Sequence, residues 1–163
     1  MDAFVQPLYE LADFDAIIRQ LKKPGIVQVS GCLDSQKAHF TNGLLREFPF
    51  RLIVAENDVK AKAFYEDFRL YDPEVLYYPA RDLIFYQADI HGNLLTRQRI
   101  QVLRALLERE EVTIVTSIDS CLDCLVPLAV WKEKVIKIRN DSEIDMDRMK
   151  RHLVELSLIH ISE

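Results

Sequence analysis

Apolar residues along this chain fall in short blocks and in stripes of helical period, and the two patterns alternate. Asp13 is placed to cap a first helix carrying Ile17, Ile18 and Leu21 on one side, and Pro24-Gly25 stops it. Ile26 to Ser30 reads as a short buried strand, with Gly31 opening the turn after it. From about Gln36 to Phe48 the spacing predicts a helix with Phe40, Leu44, Leu45 and Phe48 in a stripe, ended by Pro49. Gly43 weakens that helix by roughly 1 kcal/mol relative to alanine. Arg51 to Ala55 has the length and apolarity of a buried parallel strand. Asn57 or Asp58 caps the next helix, whose face is Val59, Ala63, Phe64, Phe68 and Tyr71, and Asp72-Pro73 closes it.

Val75 to Tyr78 predicts a third strand, followed by an aperiodic loop from Pro79 to about Asn93. A helix from about Leu94 to Glu110 presents Leu95, Val102, Leu103, Leu106 and Leu107. Val112 to Ile118 is a fourth strand, and Asp119 to Leu125 a short helix before Pro127. Alternating strands and helices argue an α/β fold, a parallel sheet flanked by helices. Right-handed crossovers put the carboxyl ends of all strands on one edge, where ligands usually sit. After Trp131 the texture changes. Val135 to Ile138 looks like a strand, Asn140-Asp141-Ser142 like a turn, and Asp145 like an N-cap, with Ile144 and Met149 placed as a hydrophobic staple. Residues 1–130 therefore read as one α/β domain and residues 131–156 as the beginning of a second, incomplete small α/β unit.

Charge narrows the functions open to the chain. The net charge is −5 and the basic residues are scattered, which disfavours a nucleic-acid groove in this chain alone. No apolar run approaches the roughly 18 residues of a membrane span, and Met1-Asp2-Ala3-Phe4 lacks the character of a secretory signal. Three cysteines make no disulfide framework, so a reduced, cytoplasmic setting is expected.

The turn after Ser30 carries the clearest chemical pattern. A phosphate-binding P-loop reads Gly, four residues, Gly, Lys, then Ser or Thr, between a strand and a helix. Here the frame is Gly31-Cys32-Leu33-Asp34-Ser35-Gln36-Lys37-Ala38. Gly31 and Lys37 stand at the right spacing. Gln36 replaces the second glycine, which the backbone needs to approach a phosphate. Ala38 replaces the hydroxyl that would hold Mg²⁺. Asp34 adds repulsion: a carboxylate about 5 Å from a phosphate charge costs roughly 3 kcal/mol at an effective dielectric near 20. A helix N-terminus offers only about half a positive charge against it. The loop is degenerate, and neither a catalytic residue, a functional cofactor site nor a metal site is expected in this chain.

Other groups are weighed against ordinary structural roles. Glu56 and Asp119 follow apolar strands, where a Walker B carboxylate would sit, but read as helix caps. Cys121-Leu122-Asp123-Cys124 is a CxxC near a helix start; without further ligands nearby it reads as buried or half-buried structural thiols. His39, His91, His152 and His160 are unclustered. Arg97, Arg99, Arg104 and Arg109 read as a solvated helix face, and Tyr77, Tyr78, Phe85 and Tyr86 as core and loop anchors.

Several segments taken in order resemble a known family. They are Ser30-Gly31, Leu52-Ile53-Val54-Ala55, Tyr77-Tyr78-Pro79-Ala80-Arg81-Asp82-Leu83, Arg97-Gln98-Arg99-Ile100, Val112-Thr113-Ile114-Val115-Thr116-Ser117 and Val130-Trp131-Lys132. Together they are similar to the N-terminal, UvrB-like module of bacterial transcription-repair coupling factors, over roughly residues 8–156. The resemblance implies a helicase-like domain related to the first domain of UvrB, with a degenerate nucleotide site. It places the working ATPase, with its ATP and Mg²⁺, in downstream translocase domains. It implies a parent that displaces stalled RNA polymerase, acts on DNA and recruits UvrA, with recruitment assigned to the unit beginning near Val135. Contact with other domains of the parent is implied too. Arg81 to Asn93 is too short for the DNA-clamping hairpin that UvrB places there. After Leu156 the family continues with a Gly-Tyr pair and further strands. Residues 157–163 (Ser157-Leu158-Ile159-His160-Ile161-Ser162-Glu163) instead read as a non-native tail of translated adapter sequence, leaving the UvrA-binding unit cut short. The alternative is a small, self-contained nucleotide-binding protein of P-loop type.

Overall fold

Three of the four strands expected within residues 1–130 pair in the computed structural model, which describes residues 4–80, 89–123, 125, 127, 129–131 and 145–155. They are β1 (Phe50–Ala55), β2 (Leu76–Tyr78) and β3 (Val112–Ser117), in the order β1-β3-β2 and all parallel. Phe50 faces Val112 and Ala55 faces Ser117 across one pairing, and Leu76 to Tyr78 face Ile114 to Thr116 across the other. Every residue of the central strand is buried, because both its neighbours and both its faces are covered. Its alternating side chains feed two cores, as period-two geometry requires.

One core lies under α3 (Asp58–Phe68), where Val75, Tyr77 and Val115 meet Ala61 and Phe68. The opposite face packs on α4 (Asp89–Glu108), with Leu76, Tyr78, Val112 and Ile114 against Val102 and Ala105. A third cluster joins a 3-10 turn at Gln6–Glu10 to α1 (Phe14–Leu21) and α2 (Asp34–Leu45). There Val5, Leu8, Phe14 and Ile18 pack with Phe40 and Leu44. Gly43 sits in that contact, where an added Cβ would run into Leu8 Cδ1 and come within 3.0 Å of Phe14 Cζ. The glycine that weakens the helix is what lets α2 close on its neighbours.

The expected strand at Ile26 to Ser30 is a correction. These residues take no regular structure and pair with no strand, and Ile26 is 97% exposed. A segment of strand-like composition joins a sheet only where its backbone N–H and C=O groups meet those of a neighbouring strand. α2 begins at Asp34 and ends at Leu45, short of Phe48. Asp13 holds the N-cap position of α1 but makes no side-chain capping bond. α4 starts at Asp89, inside the stretch expected to be loop, and the rest of that loop, residues 81–88, lies outside the described residues. α5 (Ile118–Cys121) is shorter than expected.

By internal contacts the chain divides into Met1–Asp123 and Cys124–Glu163. In the second unit α6 (Met146–Glu155) starts where Asp145 caps it, Oδ1 accepting from the backbone N–H groups of Asp147 and Arg148 at 3.0 and 3.1 Å. The strand expected at Val135 to Ile138, the turn at Asn140 to Ser142 and residues 157–163 lie outside the described residues. Among the described residues, no helix is long and apolar enough to cross a membrane.

Candidate functional site: the carboxyl edge of the sheet

Because the strands are parallel, Ala55, Tyr78 and Ser117 end on one edge, and the turns after them face each other. Asn57 caps α3, its side chain accepting from Lys60 N–H at 2.9 Å. Asp58, the first helical residue, turns inward: its Oδ1 accepts from Ala80 N–H at 3.1 Å and from the Ser117 hydroxyl at 3.4 Å. Ser117 caps α5 and shares a 2.8 Å hydroxyl contact with Ser120, both residues being buried. Tyr77 donates its phenol to Asp58 O at 3.4 Å. Burial, then the Asp58 contact, raises the Tyr77 pKa far above the ordinary phenol. One aspartate thus ties three strand ends together and fills the anion-attracting N-terminus of its own helix.

The stretch from Gly31 to Ala38 leads into α2, which packs on α3. Gly31 takes the left-handed conformation (φ 89°) that a turn before a helix exploits. Beyond it the chain satisfies itself. Gln36 N–H and Lys37 N–H both donate to Leu33 O, at 2.9 and 3.2 Å, and the Gln36 side chain returns to accept from Leu33 N–H at 3.3 Å. Lys37 Nζ, the ammonium a P-loop extends to phosphate, sits 2.6 Å from Asp34 Oδ1. That hydrogen bond, then the charge of Lys37 and more distantly of Lys60, lowers the Asp34 pKa. Lys60 in turn pairs with Glu56, which is lowered while Lys60 is raised. Ala38 is buried in the core against α3, so its side chain does not face the loop.

The remaining candidates are scattered. Glu56 engages Lys60 and Asp119 is exposed, while the residues that cap by side chain are Asn57 and Ser117. Cys121 is a free, exposed thiol and Cys32 a half-buried one; Cys124 lies outside the described residues. The expectation of a buried or half-buried thiol fails at Cys121, whose neighbours Leu122 and Leu125 are exposed as well. His39 contacts Phe4 O and stacks on Tyr71 at 5.3 Å. His160, Phe85 and Tyr86 lie outside the described residues, as do the side chains of His91 and His152. Tyr77 and Tyr78 are core residues, as expected. Among the described residues, no three His, Cys, Asp or Glu side chains gather where a metal could bind.

Arg99 corrects the reading of a solvated arginine face. Arg97, Arg104 and Arg109 are exposed, but the Arg99 side chain is 8% exposed. Its Nη1 donates to Pro79 O at 2.8 Å and lies 2.8 Å from Asp123 Oδ2, while its guanidinium covers the Tyr78 ring at 4.2 Å. It pins the carboxyl end of β2 to the turn after α5. Leu95, Arg99, Val102, Leu103 and Leu106 share one helical face, so the apolar stripe itself flagged Arg99 as inward-facing.

No protein-family model matches the chain. Among curated proteins it is 25% identical over 133 residues to the transcription-repair-coupling factor of Staphylococcus epidermidis, covering 80% of this chain and 11% of that protein. It is 27% identical over 165 residues to UvrABC system protein B of Treponema pallidum, covering 90% of this chain and 24% of the relative. With the same protein of Anaplasma phagocytophilum the identity is 31% over 120 residues, 64% of this chain and 18% of the relative. The chain is thus homologous both to transcription-repair-coupling factors and to UvrB, as a UvrB-like module of the former would be. It spans no more than a quarter of the length of these relatives.

Proposed function

We propose that this chain is a non-catalytic, UvrB-like module of a DNA-repair protein of the transcription-repair coupling type, retained for its shape and contact surfaces. The observation that carries this reading is the state of the phosphate loop: Lys37 is held by Asp34, Gln36 closes the turn on itself, and Ala38 packs in the core. Kinship with two DNA-repair protein families supports the setting. In this reading ATP and Mg²⁺ act in other domains of the parent, as do DNA and RNA polymerase. UvrA is met through the unit beginning near Val135, and the protein works in the cytoplasm.

Calorimetric titration of the 163-residue chain with Mg-ATP tests the central point. The expected result is no saturable heat into the millimolar range. Sub-millimolar binding that disappears in Lys37→Ala would overturn the proposal and restore a nucleotide-binding protein.

A further inference from the structure

The strand order β1-β3-β2 leaves the outer side of β1 without a strand among the described residues. Phe50, Leu52 and Val54, on one face of β1, are 58, 61 and 45% exposed. Ile53 and Ala55, on the other face, pack against the core under α3. The one charged residue of the strand, Arg51, is turned inward beside Asp72 and Glu111. β1 therefore lacks the proline or outward charge that commonly guards an edge. The same chain carries a strand-forming segment without a strand: Ile26 to Ser30 is uncharged, β-branched at Ile26, Val27 and Val29, and largely exposed. We propose that two copies of this chain exchange these segments, Ile26 to Ser30 of each lying along the outer edge of the other's β1.

Three observations commit the edge to that occupant. The first is backbone chemistry. Among the described residues, the backbone groups of Ile26 to Ser30 hydrogen-bond to no other backbone group, and an edge strand offers the partners they lack. The second is the match of side chains. A strand added beside β1 stands next to both of its rows, which are apolar apart from Arg51. Val27 and Val29 supply apolar neighbours on one face and Ile26 on the other, and no outward charge on either strand opposes the pairing. The third is the way the segment is hung. It lies between Gly25 and Gly31, both at positive φ (149° and 89°), a conformation glycine adopts without steric cost, so the segment can swing as a unit. Each copy carries both a donor and an acceptor. Exchange therefore closes on itself with two-fold symmetry, and two strand contacts hold one pair.

Sedimentation equilibrium of the 163-residue chain is the test. The expected result is a mass that rises with concentration from 19.0 kDa towards twice that value. Gln28→Pro, at the exposed centre of the donor segment, removes a backbone N–H. Leu52→Lys places a charge on the exposed acceptor edge. Either change alone should weaken association roughly tenfold or more. Mixed in equal amounts, the two variants should associate better than either alone, because one donor and one acceptor remain intact across the pair. Circular dichroism checks that both are folded, and Ile26→Lys or Val54→Lys, also at exposed positions, replaces a variant that is not. A mass of 19.0 kDa at every concentration, or no rescue in the mixture, would overturn the proposal. Unchanged association of Gln28→Pro would overturn it in favour of β1 pairing with its own counterpart, and growth beyond the pair in favour of an open array.

Discussion

Replacing Arg99 by alanine should be among the most damaging single changes on the surface of α4. The side chain makes three contacts at once: a charged hydrogen bond to Pro79 O, an ion pair with Asp123, and a stack on Tyr78. Removing one partner of a buried ion pair costs about 3–5 kcal/mol, because the other charge stays shielded from water. The Asp123 side chain is 24% exposed, so part of its hydration returns and the ion-pair loss falls near the lower end. The cation–π contact, partly desolvated, adds about 1–2 kcal/mol. These terms overlap in one side chain, and about 3–5 kcal/mol is the expected total. Against a domain stability of about 5–15 kcal/mol, that is a large share. Urea unfolding followed by far-ultraviolet circular dichroism gives the number. With a slope of about 2 kcal/mol per molar, the midpoint should fall by roughly 1.5–2.5 M. Arg99→Lys should recover little, since a single ammonium cannot span Pro79 and Asp123 while covering the Tyr78 ring. A loss under about 1 kcal/mol, the scale of an exposed ion pair, would refute the burial argument.

Two other outcomes follow from the same structure. Gly43→Ala should destabilise by roughly 1 kcal/mol in the same urea assay: helix propensity gains about 1 kcal/mol, but overpacking against Leu8 and Phe14 costs about 1–3. A more stable variant would show that the contact relaxes freely. Tyr77, with its pKa raised by burial, favours the neutral phenol in the fold. Its contribution is fully present below the ordinary phenol value of about 10 and is lost as pH rises above it, where the unfolded chain ionises first. Absorbance titration at 295 nm should therefore leave at least one of the six tyrosines un-ionised until the fold opens, and Tyr77→Phe should remove that delayed step. Simultaneous titration of all six near pH 10 in the folded chain would contradict it.

Helix and strand identity was legible where the apolar pattern was periodic and the punctuation chemical. Asn57 capping α3, Asp145 capping α6 and the apolar run that became β3 are local devices, decided by nearest neighbours along the chain. That Gln36 and Ala38 stand where the P-loop pattern has a glycine and a hydroxyl residue is likewise read without tertiary context; what the stretch binds is for the Mg-ATP titration to decide. Boundaries were less so. Asp119 was a plausible cap by position, yet Ser117 holds the turn because its hydroxyl reaches back to the Ser120 amide.

The sequence by itself determined an α/β chain with parallel strands. Periodicity fixes which face of each element is apolar, and single residue types mark where elements are capped or broken. Tertiary structure alone decided which elements meet. It left Ile26 to Ser30 out of the sheet, because strand pairing depends on a neighbour's free backbone groups and not on the segment's own composition. It turned Arg99 inward, set Asp58 across three strand ends, and left the outer edge of β1 bare. Each of these depends on groups distant in sequence being brought within a few ångströms, which no local pattern specifies.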